Sequence, residues 1–245
     1  MGLVNPWGGT ILHRAATSST MEDARLLEES GAPGGSVAWA DFQTEGRGRV
    51  AQRRWESLPG GALLATFFWR DHQFRVPQFA PSLLVALGVV DWLGQYPVPG
   101  RFCVKWPNDV LYEEPAPGAD AVKLAGILTI VRWRSKTRSI HVGLGVNLQP
   151  PPESSYRRAA GSLAALGITL TPSDALRQLM PALESAFQDP DPRTRLETHL
   201  WKRGEQAEWE TPSGEKIGGI VEGLTAEGHL LLKTAAGIRT LTSGE

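Results

Sequence analysis

The feature that most constrains this chain is a row of apolar runs rich in β-branched and aromatic residues, some of them broken by glycine. SVAWADF (36–42), ALLATFFW (62–69), FCVKW (102–106), KLAGILTIVRW (123–133) and SIHVGLGVNL (139–148) are five such runs. That composition suits buried strands, and five runs in the first two thirds of the chain predict a sheet. Helical spacing appears between them. Leu83, Leu87 and Val90 recur on one face, which predicts a helix over 81–93. Ser19-Thr20-Met21-Glu22 has the S-x-x-E form of a capping box and predicts a helix to about Glu29, ended by Gly31 and Pro33. PNDVLY and EEPAPGAD read as connections, the second a solvated hairpin tip.

After Pro150-Pro151-Pro152 the texture changes. Leu176, Leu179, Met180, Leu183 and Phe187 share a helical face, and a second helix is expected over about 192–202. The C-terminal segment alternates short apolar stretches with glycine turns, which predicts a small β-barrel or sandwich. A boundary near Gly204 divides 1–203 from 204–245, within the one to two domains that 245 residues suggest.

Composition narrows the function. A net charge of -1 gives no global positive field to draw the chain to nucleic acid or an acidic membrane. No apolar run approaches the roughly 18 residues that span a bilayer. The N-terminus lacks the plan of a signal peptide. The single cysteine, Cys103, forms no internal disulfide, and no Cys/His spacing suggests zinc. A soluble, cytoplasmic protein is expected, with Cys103 in the core and the scattered histidines, His141 among them, structural. Of nine tryptophans, only Trp55 and Trp106 fall in motifs.

Four clusters carry chemistry. GRGRVAQRRW (46–55) combines two glycines with Arg47, Arg49, Arg53 and Arg54, a composition suited to closing over an anion, to a solvated basic turn or to a nucleic-acid patch. It is no Walker loop, because no GK[ST] follows. VKWPNDV (104–110) is a Pro-Asn-Asp turn at a strand end. It either simply stops the strand or projects Asn108 and Asp109 into a cleft, where Asp109 holds Mg²⁺ or orients an amine. KLAGIL (123–128) opens with Lys123, which either snorkels to water or places a point charge on developing anionic oxygen. Gly126 inside that run, and Gly143 and Gly145 in GLGVN, permit close approach of a ligand.

In this order and spacing the clusters resemble the catalytic region of biotin protein ligases, and the C-terminal GGIVEGLTAEGHLLL with SGE resembles that family's terminal barrel. The resemblance implies an α+β fold: a mixed β-sheet backed by helices, of the class II synthetase-like biotin/lipoate ligase type, with a small C-terminal β-barrel. It implies that biotin is adenylated with ATP and Mg²⁺ to biotinyl-5′-AMP and pyrophosphate, then passed to a lysine of a biotin carboxyl carrier protein. Ser19, Thr20, Gln43, Gly46, Arg47, Lys123, Gly126, Gly143 and Gly145 are then expected at biotin. Arg47, Arg49, Trp55, Lys123 and Asn147 are expected at the nucleotide, with Lys123, Arg49 and Asp109 catalytic and Asp109 a Mg²⁺ ligand. The pattern begins by Thr17, so a form without the DNA-binding domain of some members is expected, acting as monomer or homodimer and binding neither nucleic acid nor membrane.

This sequence departs from the family pattern at Met21, where asparagine is usual, at Glu45, where a small residue is usual, and in VAQRRW, one residue longer and without the third glycine. These departures motivate two alternatives: a lipoate or octanoate ligase or transferase of the same fold, or a non-catalytic sensor of biotin or biotinyl-AMP.

Overall fold

A computed structural model describes residues 2–49, 54–116, 118–134, 137–152 and 160–244. Strands β1 (Ile11–Arg14), β2 (Ser36–Ala40), β3 (Ala62–Arg70), β4 (Arg101–Lys105), β5 (Asp109–Glu113), β6 (Val122–Arg134) and β7 (Thr137–Asn147) form one sheet. Its order is β1-β2-β3-β7-β6-β5-β4. Only β1 and β2 pair in parallel; every other neighbour is antiparallel.

The apolar runs became strands as expected, and β5 is a correction. PNDVLY had read as a connection, but its second half is a strand with Val110, Leu111 and Tyr112 buried. The Trp106–Asn108 turn is tight enough to fold β5 back onto β4, so a five-residue strand escaped notice beside a strong turn signal. β1, half exposed, carried too little apolar signal to be read at all.

Alternation gives the sheet two unlike faces. Leu63, Ala65, Phe67 and Trp69 of β3 and Ile140, Val142, Leu144 and Val146 of β7 join one core. Helices α2 (Pro81–Leu93) and α3 (Pro172–Phe187) cover that face. Ten residues of α2 are buried, on every side, because it lies between the sheet and α3 and beside α4 (Pro192–Thr198). The opposite face carries α1 (Thr20–Glu29) over β2, β3 and β7. Ser19 caps α1 by accepting from Met21 N, but Glu22 does not complete the expected reciprocal box: its carboxylate is held by Arg25 one turn on.

The C-terminal strands β8 (Gln206–Glu210), β9 (Lys216–Leu224), β10 (Leu230–Thr234) and β11 (Gly237–Leu241) form an antiparallel sheet in the order β11-β10-β9-β8. It is not the closed barrel that was expected. Four strands are too few to close around a filled interior, so the sheet buries one face against its neighbour instead. Trp209, Ile217, Val221, Leu230 and Leu232 merge with the main core. The Trp106 indole N–H donates to Gly228 O at 2.9 Å, and Trp209 Nε1 donates to Trp106 O at 3.3 Å. The KWPND turn is thereby fixed to this sheet.

Candidate active site

A β-bulge decides which way the central lysine points. β5 and β6 pair Leu111 with Lys123 but Val110 with Ala125, so Leu124 is the extra residue. A bulge re-aims the side chains that precede it. Here it puts Lys123 on the same face as Gly126, where a Cβ would fall 3.1 Å from Lys123 Nζ. Strand periodicity then adds Leu128, Ile130 and Arg132 to that face.

Gly126 and Gly145 are register partners on β6 and β7. Together they make a bare backbone platform on which the Trp55 indole lies. A Cβ on Gly145 would fall 2.4 Å from that ring, and one on Gly126 2.9 Å. Glycine is required there, and the group that lies against these two glycines is the chain's own Trp55, where the sequence reading expected a ligand. Lys123 Nζ stands 6.0 Å from the centre of the same ring. It forms an ion pair with Asp109 Oδ1 at 2.6 Å.

Beside Trp55 opens a cavity of about 330 Å³, within the range of small-molecule sites. Ser19, Thr20, Gln43, Arg47, Trp55, Gly143 and Gly145 line it, all singled out in the sequence. Its apolar walls are Met21, Leu64, Leu128 and Ile130, with Leu144 bordering it from a strand position that belongs to the core, and its remaining polar groups are Ser18, Glu22, Glu45, Thr66 and Arg132. Motif reading missed Thr66, Ile130 and Arg132 because they sit in strand runs whose alternation shows two faces but not which one is open. Lys123, Gly126, Gly46, Arg49, Asp109 and Asn147 do not line this cavity; the first two lie just past Trp55.

The polar floor is already wired. Gln43 Oε1 accepts from Thr20 N at 2.7 Å and from Thr20 Oγ1 at 2.9 Å, and the Thr20 and Thr66 hydroxyls lie 2.9 Å apart. Gln43 therefore turns its amide N–H groups, not its carbonyl, toward a ligand. Backbone bonds lace the Gln43 strand end to the start of α1: Thr44 N to Thr17 O and Glu45 N to Ser18 O. At the rim, hydrogen bonds from Arg25 hold the Glu22 carboxyl below its ordinary value, with weaker pulls from Arg132 and Arg47.

The arginine loop leaves from the same edge. Trp55 N donates to Gly46 O, and Arg47 bridges Arg54 across the loop's neck. A Cβ on Gly46 would fall 2.5 Å from Trp55 O, so only glycine fits that neck. The departures at Val50, Ala51 and Gln52, and Arg53, lie outside the described residues. Arg49 reaches the C-terminal tail, where its Nη2 donates to Gly244 O at 2.5 Å.

Other expected residues brace the site. Asn108 Nδ2 donates to Ile127 O and its carbonyl accepts from Ile127 N, stitching the turn to β6. Asn147 is buried and donates to Gly161 O at 3.0 Å, tying residues 160–163 across the strand ends. His141 is fully buried against Glu28, at 2.7 Å, and stacks on Phe68. Burial pushes its imidazole below the ordinary value despite Glu28. Cys103 is buried. Trp133, by contrast, is 69% exposed. Among the described residues, no three His, Cys, Asp or Glu side chains gather as a metal site, and no helix is long and apolar enough to cross a membrane.

Residues 14–147 match the biotin/lipoate A/B protein ligase family, and residues 208–245 match the biotin protein ligase C terminal domain. The chain belongs to the biotin/lipoate A/B protein ligase family. Among curated proteins it is 28% identical to the bifunctional ligase/repressor BirA of Bacillus subtilis, over 97% of this chain and 74% of that one. It is also 28% identical to the biotin–[acetyl-CoA-carboxylase] ligase of Paracoccus denitrificans, over 94% of this chain and 97% of that one. Among solved structures, the biotin protein ligase of Aquifex aeolicus in complex with biotin and ATP superposes with a TM-score of 0.76 at 26% identity, covering 96% of this chain and 97% of the other.

Proposed function

We infer that the chain is a biotin protein ligase, which joins biotin to ATP as biotinyl-5′-AMP and then to a protein lysine. One observation carries this reading. The bulge at Leu124 turns Lys123 onto the same sheet face as a cavity floored by Thr20, Gln43 and Thr66 and walled by apolar side chains. The two relatives named above as biotin ligases, from Paracoccus denitrificans and Aquifex aeolicus, extend over nearly the whole chain.

The chemistry asks for that layout. In the first step a biotin carboxylate oxygen attacks the ATP α-phosphorus, the bond to the β-phosphate oxygen breaks, and pyrophosphate leaves. Anion meets anion, so fixed positive charge near the reacting atoms is needed. We assign Lys123 to the carboxylate and α-phosphate, with Arg47 and Arg49 closing from the loop. Trp55 covers the mixed anhydride and limits its hydrolysis. In the second step a neutral lysine amine of a biotin carboxyl carrier domain attacks the biotinyl carbonyl, and AMP departs. Asp109, paired with Lys123 at 2.6 Å, is suited to hold that ammonium in place and to orient the incoming amine. Its pairing leaves it poorly placed as a metal ligand, so Mg²⁺ is treated as part of the MgATP substrate. The ring system sits over Leu128 and Gly143, near Ser19, Thr20 and Gln43. Asn147 serves the site by holding residues 160–163. We place the catalytic unit at 1–203 and the C-terminal unit at 204–245, in a cytoplasmic enzyme.

The test is release of pyrophosphate from MgATP with biotin, lipoate and octanoate as parallel substrates. Release with biotin, lost in Lys123→Ala, is the expected result. Release with lipoate or octanoate in its place overturns the substrate assignment, and tight biotin binding without release leaves a sensor.

A further inference from the structure

Two arginines line the cavity, yet biotin carries a single carboxylate. Arg47 comes from the loop that resembles the family motif. Arg132 belongs to no motif and lies at the other end of the site face of β6. The ladder sets the order along this face: Gly126 opposite Gly145, Leu128 opposite Gly143, Ile130 opposite His141, and Arg132 opposite Ser139. Six residues of strand separate Gly126 from Arg132, about 20 Å at ~3.3 Å per residue. Lys123 and Arg132 therefore mark opposite ends of one groove.

Arg132 is half-buried, and its Nε is withdrawn from water without a hydrogen-bond partner. Among the described residues its guanidinium makes no ion pair. The cavity's two carboxylates do not supply one: Glu22 is taken by Arg25 at 2.9 Å, and Glu45 stands on the loop side beside Gly46. Nε is closed off even from water, so what the cavity meets is the rest of this guanidinium. A half-buried guanidinium that borders the cavity without an ion-pair partner is costly, and a bound molecule that offers it an acceptor gains affinity.

We propose that Arg132 is a specificity-determining residue that donates to the ureido carbonyl oxygen of biotin. This rests on the biotin ligase reading above. If the carboxylate is drawn to Lys123, the molecule's remaining strong acceptor, the ureido oxygen, is carried along the groove toward Arg132. Leu128, Ile130 and Met21 line the interval between. Lipoate ends in a dithiolane and octanoate in a methyl group. Neither offers an acceptor, so either would leave the arginine desolvated and unpaired, the situation that gives polar sites their strongest discrimination.

Arg132→Met keeps the apolar stem and removes the donors; Arg132→Lys keeps a charge. Both are assayed by pyrophosphate release with biotin and with 2-iminobiotin, whose ring carries a protonated C=NH at pH 7 in place of the carbonyl. Loss of a hydrogen bond to a charged group is expected to raise the biotin KM of Arg132→Met about 10- to 100-fold. The kcat at saturating biotin and the KM for ATP should hold. The wild type's preference for biotin over the cationic 2-iminobiotin should collapse in Arg132→Met and survive in part in Arg132→Lys. That preference compares two ligands on one protein, so a general loss of folded enzyme does not move it. Unchanged biotin KM and unchanged preference in an active enzyme overturn the proposal and leave the ligase reading intact. A wild-type protein that releases no pyrophosphate with biotin removes both.

Discussion

The two faces of the seven-stranded sheet are built from the same strands and end as opposites. On β3, Leu63, Ala65, Phe67 and Trp69 point into the core, while Leu64 and Thr66 meet the cavity. On β7, Ile140, Val142, Leu144 and Val146 pack inward, and the alternate positions are His141, Gly143 and Gly145. One face is closed by large apolar side chains against α2 and α3. The other is kept open by taking side chains away and by wiring the few polar ones to each other. Stability and chemistry are thus separated by the two-residue period of a strand, and neighbouring residues should answer mutation in different observables.

The largest effect is expected on the packed face. Phe67 is fully buried, stacked on Trp69 at 5.1 Å and edge-on to Trp7. Phe67→Ala should cost about 3–5 kcal/mol of unfolding free energy. Denaturant unfolding would show this as an earlier midpoint, while KM for biotin in the remaining folded enzyme stays near wild type. A matching rise in KM would break the separation of faces.

Lys123→Ala should do the reverse. Removing a preorganised charge at a developing anion typically costs ~10²–10³ in rate. The ion pair with Asp109 is partly solvent-exposed, so little stability should follow its loss. A pyrophosphate assay beside a thermal melt gives both numbers. A fall in midpoint as large as that of Phe67→Ala would place Lys123 among structural residues.

How much of this was legible follows from the same contrast. Lys123, Gly126, Gly143 and Gly145 fall on one face of the sheet, and they were singled out as a group because glycines and a lysine inside apolar strands conflict with packing. Their mutual geometry was not, since it depends on a bulge at Leu124 that an ordinary leucine does not announce. Asp109 was read in a turn that stops a strand: Asp109–Glu113 is itself a strand, and its first residue reaches Lys123 because β5 pairs with β6. Arg132 and Thr66 were invisible, as alternation marks them only as facing away from the core. The C-terminal strands were read as a barrel because local sequence shows strand and turn but not whether the last edge meets the first.

A smaller change sharpens the boundary between the faces. Thr66 is buried on the open face, with its hydroxyl 2.9 Å from that of Thr20. Thr66→Val keeps the shape and removes one hydrogen bond, worth about 0.5–1.5 kcal/mol. Because Thr20 also anchors Gln43, part of the cost should appear as a several-fold rise in biotin KM, read by titrating biotin in the pyrophosphate assay. An effect on the melt alone would make the threonine pair structural.

The smallest effect concerns the point where the open face becomes core. His141 shares its side of β7 with Gly143, yet it is fully buried beneath α1 against Glu28 and Phe68. Burial, the larger influence, lowers its affinity for a proton, and Glu28 offsets this only in part. The folded imidazole therefore titrates below its ordinary value of 6.5, while the unfolded chain binds the proton near that value. Protonation favours the unfolded state, so the contribution is fully present above pH 6.5 and is lost as pH falls below it. Glu28, also lowered, works in the same direction at more acid pH, below its ordinary value of 4.5. Thermal midpoints should hold between pH 8 and 7 and decline from about pH 6.5 downward. His141→Gln, which cannot titrate, should flatten the upper part of that decline and leave the part due to carboxylates. Wild-type midpoints that instead fall as pH rises from 6.5 to 8, with the variant flat over that range, would mean that Glu28 holds the histidine protonated in the fold, and that this end of the face is an ion pair rather than a neutral packed core.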